Sequence, residues 1–310
     1  MNEIAVSVRH VRKSFGKHHV LEDVSFEIPT GQTWALLGRN GVGKTTLIQS
    51  LLGLMPVDAG GIQIAGCDPF KQPLELRRRV GYLAEDQSMY GWMTAMELCR
   101  FLQPFYPSWN PQLAERYLQR FEIPRHTRIS RLSKGQSVKL GLVVALAHAP
   151  LVAILDDPAL GLDSVSRKEF NRELVEHLQA EGRTVIYSSH LLAEVEAIAD
   201  QVAILDRGRI VRQGATETLR EEVQRVVLPL EFVCRHPAPA GLLDVQRLGE
   251  QVEVVIDGIS RFLGQLSSQG ISFSMTEMTL DDIFEAFVIG RPGRWSQIAA
   301  DAGSISATSC

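Results

Sequence analysis

The chain has 310 residues, 45% of them apolar and 22% charged, with a formal net charge of -4; it can hold one substantial core plus a small second unit, and it lacks the basic tail or arginine-rich block expected of a nucleic-acid binder. Its four scattered cysteines, Cys67, Cys99, Cys234 and Cys310, form neither a metal spacing nor a disulfide framework, which fits a reducing compartment. No run reaches the roughly 18 to 20 apolar residues that span a bilayer, and MNEIAVSVRHVRKSF lacks an apolar signal core, so work at a membrane would require a separate anchor.

IAVSVRHVRKSF and VLEDVSFEI alternate in polarity around a turn at Phe15 to His19, which predicts two antiparallel strands with one core face. Phe15 lies among polar neighbours, where its ring can either join the core or stack on a purine. PTGQ turns the chain into the apolar strand WALL, Trp34 to Leu37. GRNGVGKTT, Gly38 to Thr46, follows, and then the apolar-periodic LIQSLLGL. The spacing is G-x-x-x-x-G-K-[ST] between a strand and a helix. Glycines let successive N–H groups point inward, and the helix N-terminus adds its own, so the loop cradles phosphate oxygens. Lys44 brings a mobile point charge and Thr45 a hydroxyl for Mg2+.

RRVGYLAEDQ predicts a strand at Val80 to Ala84 ending on a polar cluster beside the glycine loop, where Glu85, Asp86 or Gln87 can reach the metal or its water. An insert at about residues 88–148 follows. It holds helices at Met93 to Gln103, Pro111 to Phe121 and Lys139 to Ala147, with FYPSW as a proline break. Core packing accounts for most of Trp92, Phe101, Phe105, Tyr106 and Trp109 by default; an exposed patch among them would mark a partner surface. LVAILDDP is an apolar strand ending in two carboxylates. Asp156 is placed to hold Mg2+ and Asp157 to face the attacking water. TVIYSSH is a further strand, ending near His190, an imidazole suited to positioning water or donating to the transferring phosphoryl group. QVAILDRGRIVRQG closes the domain as two strands around an Asp-Arg-Gly turn.

LSKGQ, Leu132 to Gln136, is similar to the LSGGQ signature of ATP-binding-cassette (ABC) proteins. With the loop, the paired carboxylates, ALGLD at Ala159 to Asp163 and His190 in that order, the chain from Ile4 to about Thr218 resembles the nucleotide-binding subunit of an ABC transporter. The resemblance implies an α/β P-loop NTPase of ABC type with an antiparallel β subdomain and a helical subdomain. It implies ATP and Mg2+ as cofactors. ATP-binding residues would be Phe15, Gly38, Arg39, Asn40, Gly41, Val42, Gly43, Lys44, Thr45 and Thr46, and metal-binding residues Thr45, Asp156 and Glu85. Catalytic positions would be Asp157, His190 and Glu85. Ser133, Lys134, Gly135 and Gln136 would act on ATP held by the opposite subunit, with Asp163 in the D-loop, giving a head-to-tail homodimer or heterodimer. The implied partner is a transmembrane permease, and the place of work the cytoplasmic face of the cell membrane.

Three positions depart from that pattern. Glu85 stands for the usual glutamine, and Lys134 for the first signature glycine. Asp157 stands for the catalytic glutamate; it loses about 1.5 Å of reach, and a misplacement of about 1 Å can cost on the order of 10²-fold in rate. Either hydrolysis is slowed, or a backbone shift restores the distance, or the chain pairs with a glutamate-bearing cassette; the alternative function is a weakly hydrolysing regulatory or dimerising cassette. FYPSW and the spacing from YLAED to LSKGQ resemble ABC-2 exporter cassettes of YtrB-like type, which implies export of a drug, antibiotic or other hydrophobic compound.

These readings give an ABC domain at residues 1–218, a small α+β appendage at 219–290 and a flexible tail at 291–310. In the appendage VVLPLEFV, LLDVQRL, QVEVVIDG and ISFSM read as strands, and Ile259 to Ser267 and Leu280 to Val288 as helices. Thr279 caps the latter, with Asp281 and Asp282 in its first turn.

Overall fold

The computed structural model describes residues 3–307 apart from 161, 164, 166, 169, 172–173, 175–177, 179–181 and 190–191. The chain divides into two units, Met1–Gln213 and Gly214–Cys310.

In the first unit β1 (Ile4–Phe15), β2 (His18–Pro29) and β4 (Ala59–Ile64) form an antiparallel sheet in the order β2-β1-β4. The alternation read from the sequence buries Val6, Val8, Phe26 and Ile28 on one face. A six-stranded sheet runs β5-β6-β7-β3-β8-β9. Its strands are β3 (Thr33–Leu37), β5 (Val80–Leu83), β6 (Val152–Asp156), β7 (Thr184–Ser189), β8 (Gln201–Asp206) and β9 (Arg209–Ala215). From β5 to β8 every pairing is parallel. Every residue of β3, β6 and β7 is buried, as continuous apolar runs in a sheet covered on both faces require.

Helix α1 (Lys44–Leu51) presents Leu47, Ile48 and Leu51 to a core shared by Trp34, Ile154 and Ile186 of the large sheet and Val6, Phe26 and Ile28 of the small one. The Phe26 and Trp34 rings stack across the join, 4.4 Å between centroids. Each such fully buried aliphatic side chain contributes roughly 1.5–3 kcal/mol. This packing fixes α1, and therefore the loop before it, against the carboxyl edge of the sheet. Strand register brings that edge together: Leu37 lies opposite Ser189 and Asp156 opposite Ser188.

Helix α2 (Pro73–Arg79) leads into β5. The insert is built from α3 (Ala95–Leu102), α4 (Pro111–Arg120) and α5 (Lys134–Leu146). Each start is sealed chemically: a Thr94/Glu97 capping box, an Asn110 cap with Pro111 at the first turn, and a Ser133/Gln136 capping box. The aromatics sort differently from the expectation of core packing. Trp109 is buried, but Trp92, Phe101 and Phe105 are exposed, because Leu98, Cys99, Leu113, Tyr117 and Leu118 already fill the space between the helices. A short helix, α6 (Leu192–Val195), follows β7.

The second unit has an antiparallel sheet ordered β11-β12-β10-β13, from β10 (Val223–Pro229), β11 (Leu242–Leu248), β12 (Gln251–Asp257) and β13 (Ser274–Thr276). Its helices are α7 (Thr216–Glu222), α8 (Leu230–Arg235), α9 (Ile259–Ser268), α10 (Leu280–Ile289) and α11 (Arg294–Ala307). Two expectations are corrected. VVLPLEFV is not one strand: β10 stops at Pro229, which caps α8, since proline cannot donate to a ladder but suits a helix start. Residues 291–310, expected as a flexible tail, contain α11. Trp295 and Ile298, three residues apart and so on one helix face, join Phe232 and Phe262 in the core. Trp295 Nε1 donates to the His236 carbonyl at 3.0 Å.

Candidate functional site

The glycine loop leaves a buried strand and needs glycine where it does. At Gly38 an added Cβ would sit 2.7 Å from Val42 Cγ1 and 2.8 Å from the Leu205 carbonyl. Gly43 has φ 113 and serves as the N-cap of α1 with no side-chain cap. The first-turn N–H groups and the positive end of the helix dipole are thereby left for an anion. Lys44 is buried and folds back, Nζ donating to the Gly38 carbonyl at 2.6 Å and to that of Arg39 at 3.3 Å. Burial lowers its pKa, and Asp157, Asp156 and Glu85 work in the opposite direction.

The carboxylates arrive from two neighbouring strand ends. Asp156 closes β6 and is buried. Its carboxyl is raised by burial, with the charges of Asp157 and Glu85 adding to the shift; a hydrogen bond from Ser188 and the charge of Lys44 oppose it. Tyr82, on β5, is pushed up to about 12 by burial and by Asp156 and Glu85. Asp157 adopts a left-handed backbone, φ 41, a region aspartate tolerates better than most residues.

A cavity of about 470 Å³ opens over these groups. Arg39, Asn40, Gly41, Gly43, Lys44, Thr45 and Thr46 line it together with Glu85 and Asp157. Gly38, Val42 and Asp156 do not line it; Val42 packs against the core. Phe15 is not among its walls either: it ends β1, 48% exposed, with Lys13 Nζ 5.4 Å from the ring centre. Ser133, Lys134, Gly135 and Gln136 form the start of α5 away from the cavity lining. There Ser133 Oγ accepts from the Gln136 N–H at 3.1 Å, and Gln136 Oε1 accepts from the Ser133 N–H at 3.0 Å. Asp163 Oδ1 accepts from the Val165 N–H at 3.0 Å. His190 lies outside the described residues.

Val20 and Leu160 also line the cavity, and Ser188 donates to Asp156; the sequence reading marked Leu160 only as part of ALGLD and gave none of the three a role. The signal for Ser188 was a polar pair ending an apolar strand, recognisable only once β6 and β7 are paired. Among the described residues no cluster of three or more His, Cys, Asp or Glu could hold a metal. Thr45 and Asp156 nonetheless offer the hard oxygens that magnesium takes one or two at a time, the rest coming from water and phosphates.

A glycine loop between a buried strand and an uncapped helix, faced by carboxylates from adjacent strands, defines a P-loop nucleoside-triphosphatase. Residues 21–160 match the family described as ABC transporter. The linearmycin resistance ATP-binding protein LnrL of Bacillus subtilis is 30% identical over 219 residues, 69% of this chain and 70% of that one. The bacitracin transport ATP-binding protein BcrA of Bacillus licheniformis is 28% identical over 301 residues, 92% of this chain and 97% of that one. Among solved structures, an ATP-binding subunit of an ABC transporter superposes with a TM-score of 0.64 at 30% identity, covering 70% of this chain and 92% of its own. The chain belongs to the ABC transporter ATP-binding family, and is an ATPase of that family. Among the described residues no helix is long and apolar enough to cross a membrane.

Proposed function

We propose that the chain binds ATP with Mg2+ in the Gly38–Thr46 cradle and hydrolyses it in a head-to-tail pair with a second cassette. In this reading it drives a separate ABC-2 type permease of YtrB-like exporter class from the cytoplasmic face of the membrane. The cargo is a drug, antibiotic or other hydrophobic compound. FYPSW and the insert spacing support the subtype, and the resistance and antibiotic-transport names carried by LnrL and BcrA support the cargo.

In this reading Lys44 exchanges its loop carbonyls for phosphate oxygens, and Thr45 and Asp156 hold Mg2+, whose charge neutralises the phosphates. Asp157 orients the attacking water, with Glu85 and His190 beside it. Phe15 stacks on the base. Ser133, Lys134, Gly135, Gln136 and Asp163 face the ATP of the second cassette. The observation that carries the permease is a run of exposed rings on the insert. Tyr90, Trp92, Phe101 and Phe105 are 51%, 67%, 42% and 65% exposed. Tyr90 lies 6.1 Å from Trp92 and 5.7 Å from Phe101, and Phe101 lies 5.6 Å from Phe105, between ring centres. Exposed contiguous aromatics mark partner surfaces.

Co-expression with a candidate multi-span membrane subunit tests this. The expected result is co-purification in mild detergent and ATPase stimulation by the assembled complex. Loss of both is expected in Trp92→Ala with Phe105→Ala. No membrane partner under those conditions would overturn the permease assignment. The shorter Asp157 favours one second reading, a cassette that binds ATP and dimerises but hydrolyses weakly; ordinary turnover by the complex would end it.

A further inference from the structure

Beneath the two aspartates, sheet register places a third polar group. β6 and β7 are parallel neighbours with Asp156 opposite Ser188, so the two side chains stand on the same face of the sheet. Ser188 has no exposed surface. Its hydroxyl donates to Asp156 Oδ1 at 2.6 Å. Ser188 Oγ in turn accepts from the Asp157 N–H at 3.1 Å, and the Ser188 carbonyl is also 3.1 Å from that N–H. One residue therefore grips both consecutive aspartates, the first by its carboxylate and the second by its backbone. Asp157 is held at this point in its left-handed conformation.

We propose that Ser188 is a positioning residue for phosphoryl transfer. It fixes the rotation of the Asp156 carboxylate that holds Mg2+, and it fixes the backbone from which the short Asp157 side chain reaches the water. A serine hydroxyl suits this because it gives one proton and accepts another at the same atom. A bond to a buried carboxylate is also among the stronger hydrogen bonds. Misplacement of either aspartate is costly, since catalytic geometry tolerates little displacement. The proposal rests on reading Asp156 as the metal carboxylate, and the test separates the two.

ADP is titrated calorimetrically into the full chain with and without Mg2+, for wild type, Ser188→Ala, Asp156→Asn and the double variant. Ser188→Ala should leave metal-free ADP affinity within about twofold and cut the gain conferred by Mg2+ by about 10-fold, as expected for losing a hydrogen bond to a charged group. The double variant should lose no more than Asp156→Asn alone, because coupled groups are not additive. In the assembled transporter kcat should fall about 10-fold or more, with the KM for MgATP rising by no more than the lost Mg2+ gain, as for an interaction that matters in both the bound and the transition state. Should Ser188→Ala prove too unstable to titrate, Ser188→Thr and Ser188→Val form a nearly isosteric pair. The threonine should keep the Mg2+ gain and the valine should lose it. A wild-type Mg2+ gain in Ser188→Ala alongside its loss in Asp156→Asn would overturn the role of Ser188 alone. A gain retained in Asp156→Asn would overturn the metal assignment, and the proposal with it.

Discussion

At the carboxyl edge of the large sheet charged groups are buried: Lys44 is 7% exposed and Asp156 3%. On the insert the reverse holds, with Trp92 and Phe105 each about two-thirds exposed. Both regions depart from the ordinary sorting of residues, in opposite directions. Under the proposed function the sheet edge accepts unfavourable burial of charge and would recover it when phosphates and a cation arrive. The insert leaves apolar rings in water, which a second protein surface would cover. Folding alone explains neither arrangement, and each is informative because of the exception it makes.

The largest test removes the buried cation. Lys44→Met should drop ATP affinity and turnover by on the order of 10²-fold or more, since the phosphates lose their closest point charge. Its folding stability should stay within about 1 kcal/mol of wild type, because an apolar replacement removes a desolvated charge. Nucleotide titration and chemical denaturation read the two quantities separately, and a large loss of stability would mean that Lys44 braces the fold.

Asp157→Glu addresses reach. Turnover in the assembled complex should rise by about 10-fold if reach limits the rate, while stability falls by about 1 kcal/mol because glutamate is less at ease in the left-handed region. Unchanged kcat would show that the backbone at Asp157 already compensates.

His148 provides a buried titratable group inside the insert. It is 1% exposed, stacked on Tyr106 at 4.4 Å, with Nε2 3.3 Å from the Val80 carbonyl. Burial lowers its pKa to about 4. Between that value and about 6.5 the unfolded chain binds the proton and the folded chain does not, so stability is full above about pH 6.5 and falls toward pH 4, by about 3 kcal/mol in all. His148→Phe should remove this component from a denaturation series across that range. An unchanged pH slope would show that the ring titrates normally.

The smallest effect is expected at the exposed rings. Trp92→Ala and Phe105→Ala should each change stability by no more than about 0.5 kcal/mol, as surface substitutions do. A larger loss would return these rings to the core and erase the contrast between the two regions.

Much of the nucleotide edge was legible because its signals are local. GRNGVGKTT carries its own turn chemistry, and LVAILDDP announces both a buried strand and what emerges from its end. Ser188 was illegible because its meaning depends on a partner 32 positions away, and TVIYSSH drew attention only to His190. The exposure of Trp92, Phe101 and Phe105 was equally hidden, since periodicity says that a ring lies on a face and not whether aliphatic neighbours have already filled the gap. In the second unit Pro229 splits a run that reads as one strand. The helix Arg294–Ala307 is anchored by two large residues among small and polar ones, too weak a pattern to distinguish from a tail.

That last helix also sets an order of events. Trp295 and Ile298 belong to the same core as Val226, so that core is filled only when the chain through Ile298 has been made. The strands and loop that cradle nucleotide are finished by Gln213. With synthesis at roughly 5–20 residues per second, the nucleotide site is complete on the order of 10 s before its appendage. ATP bound during that interval would steady the first unit by mass action, before the second core is filled.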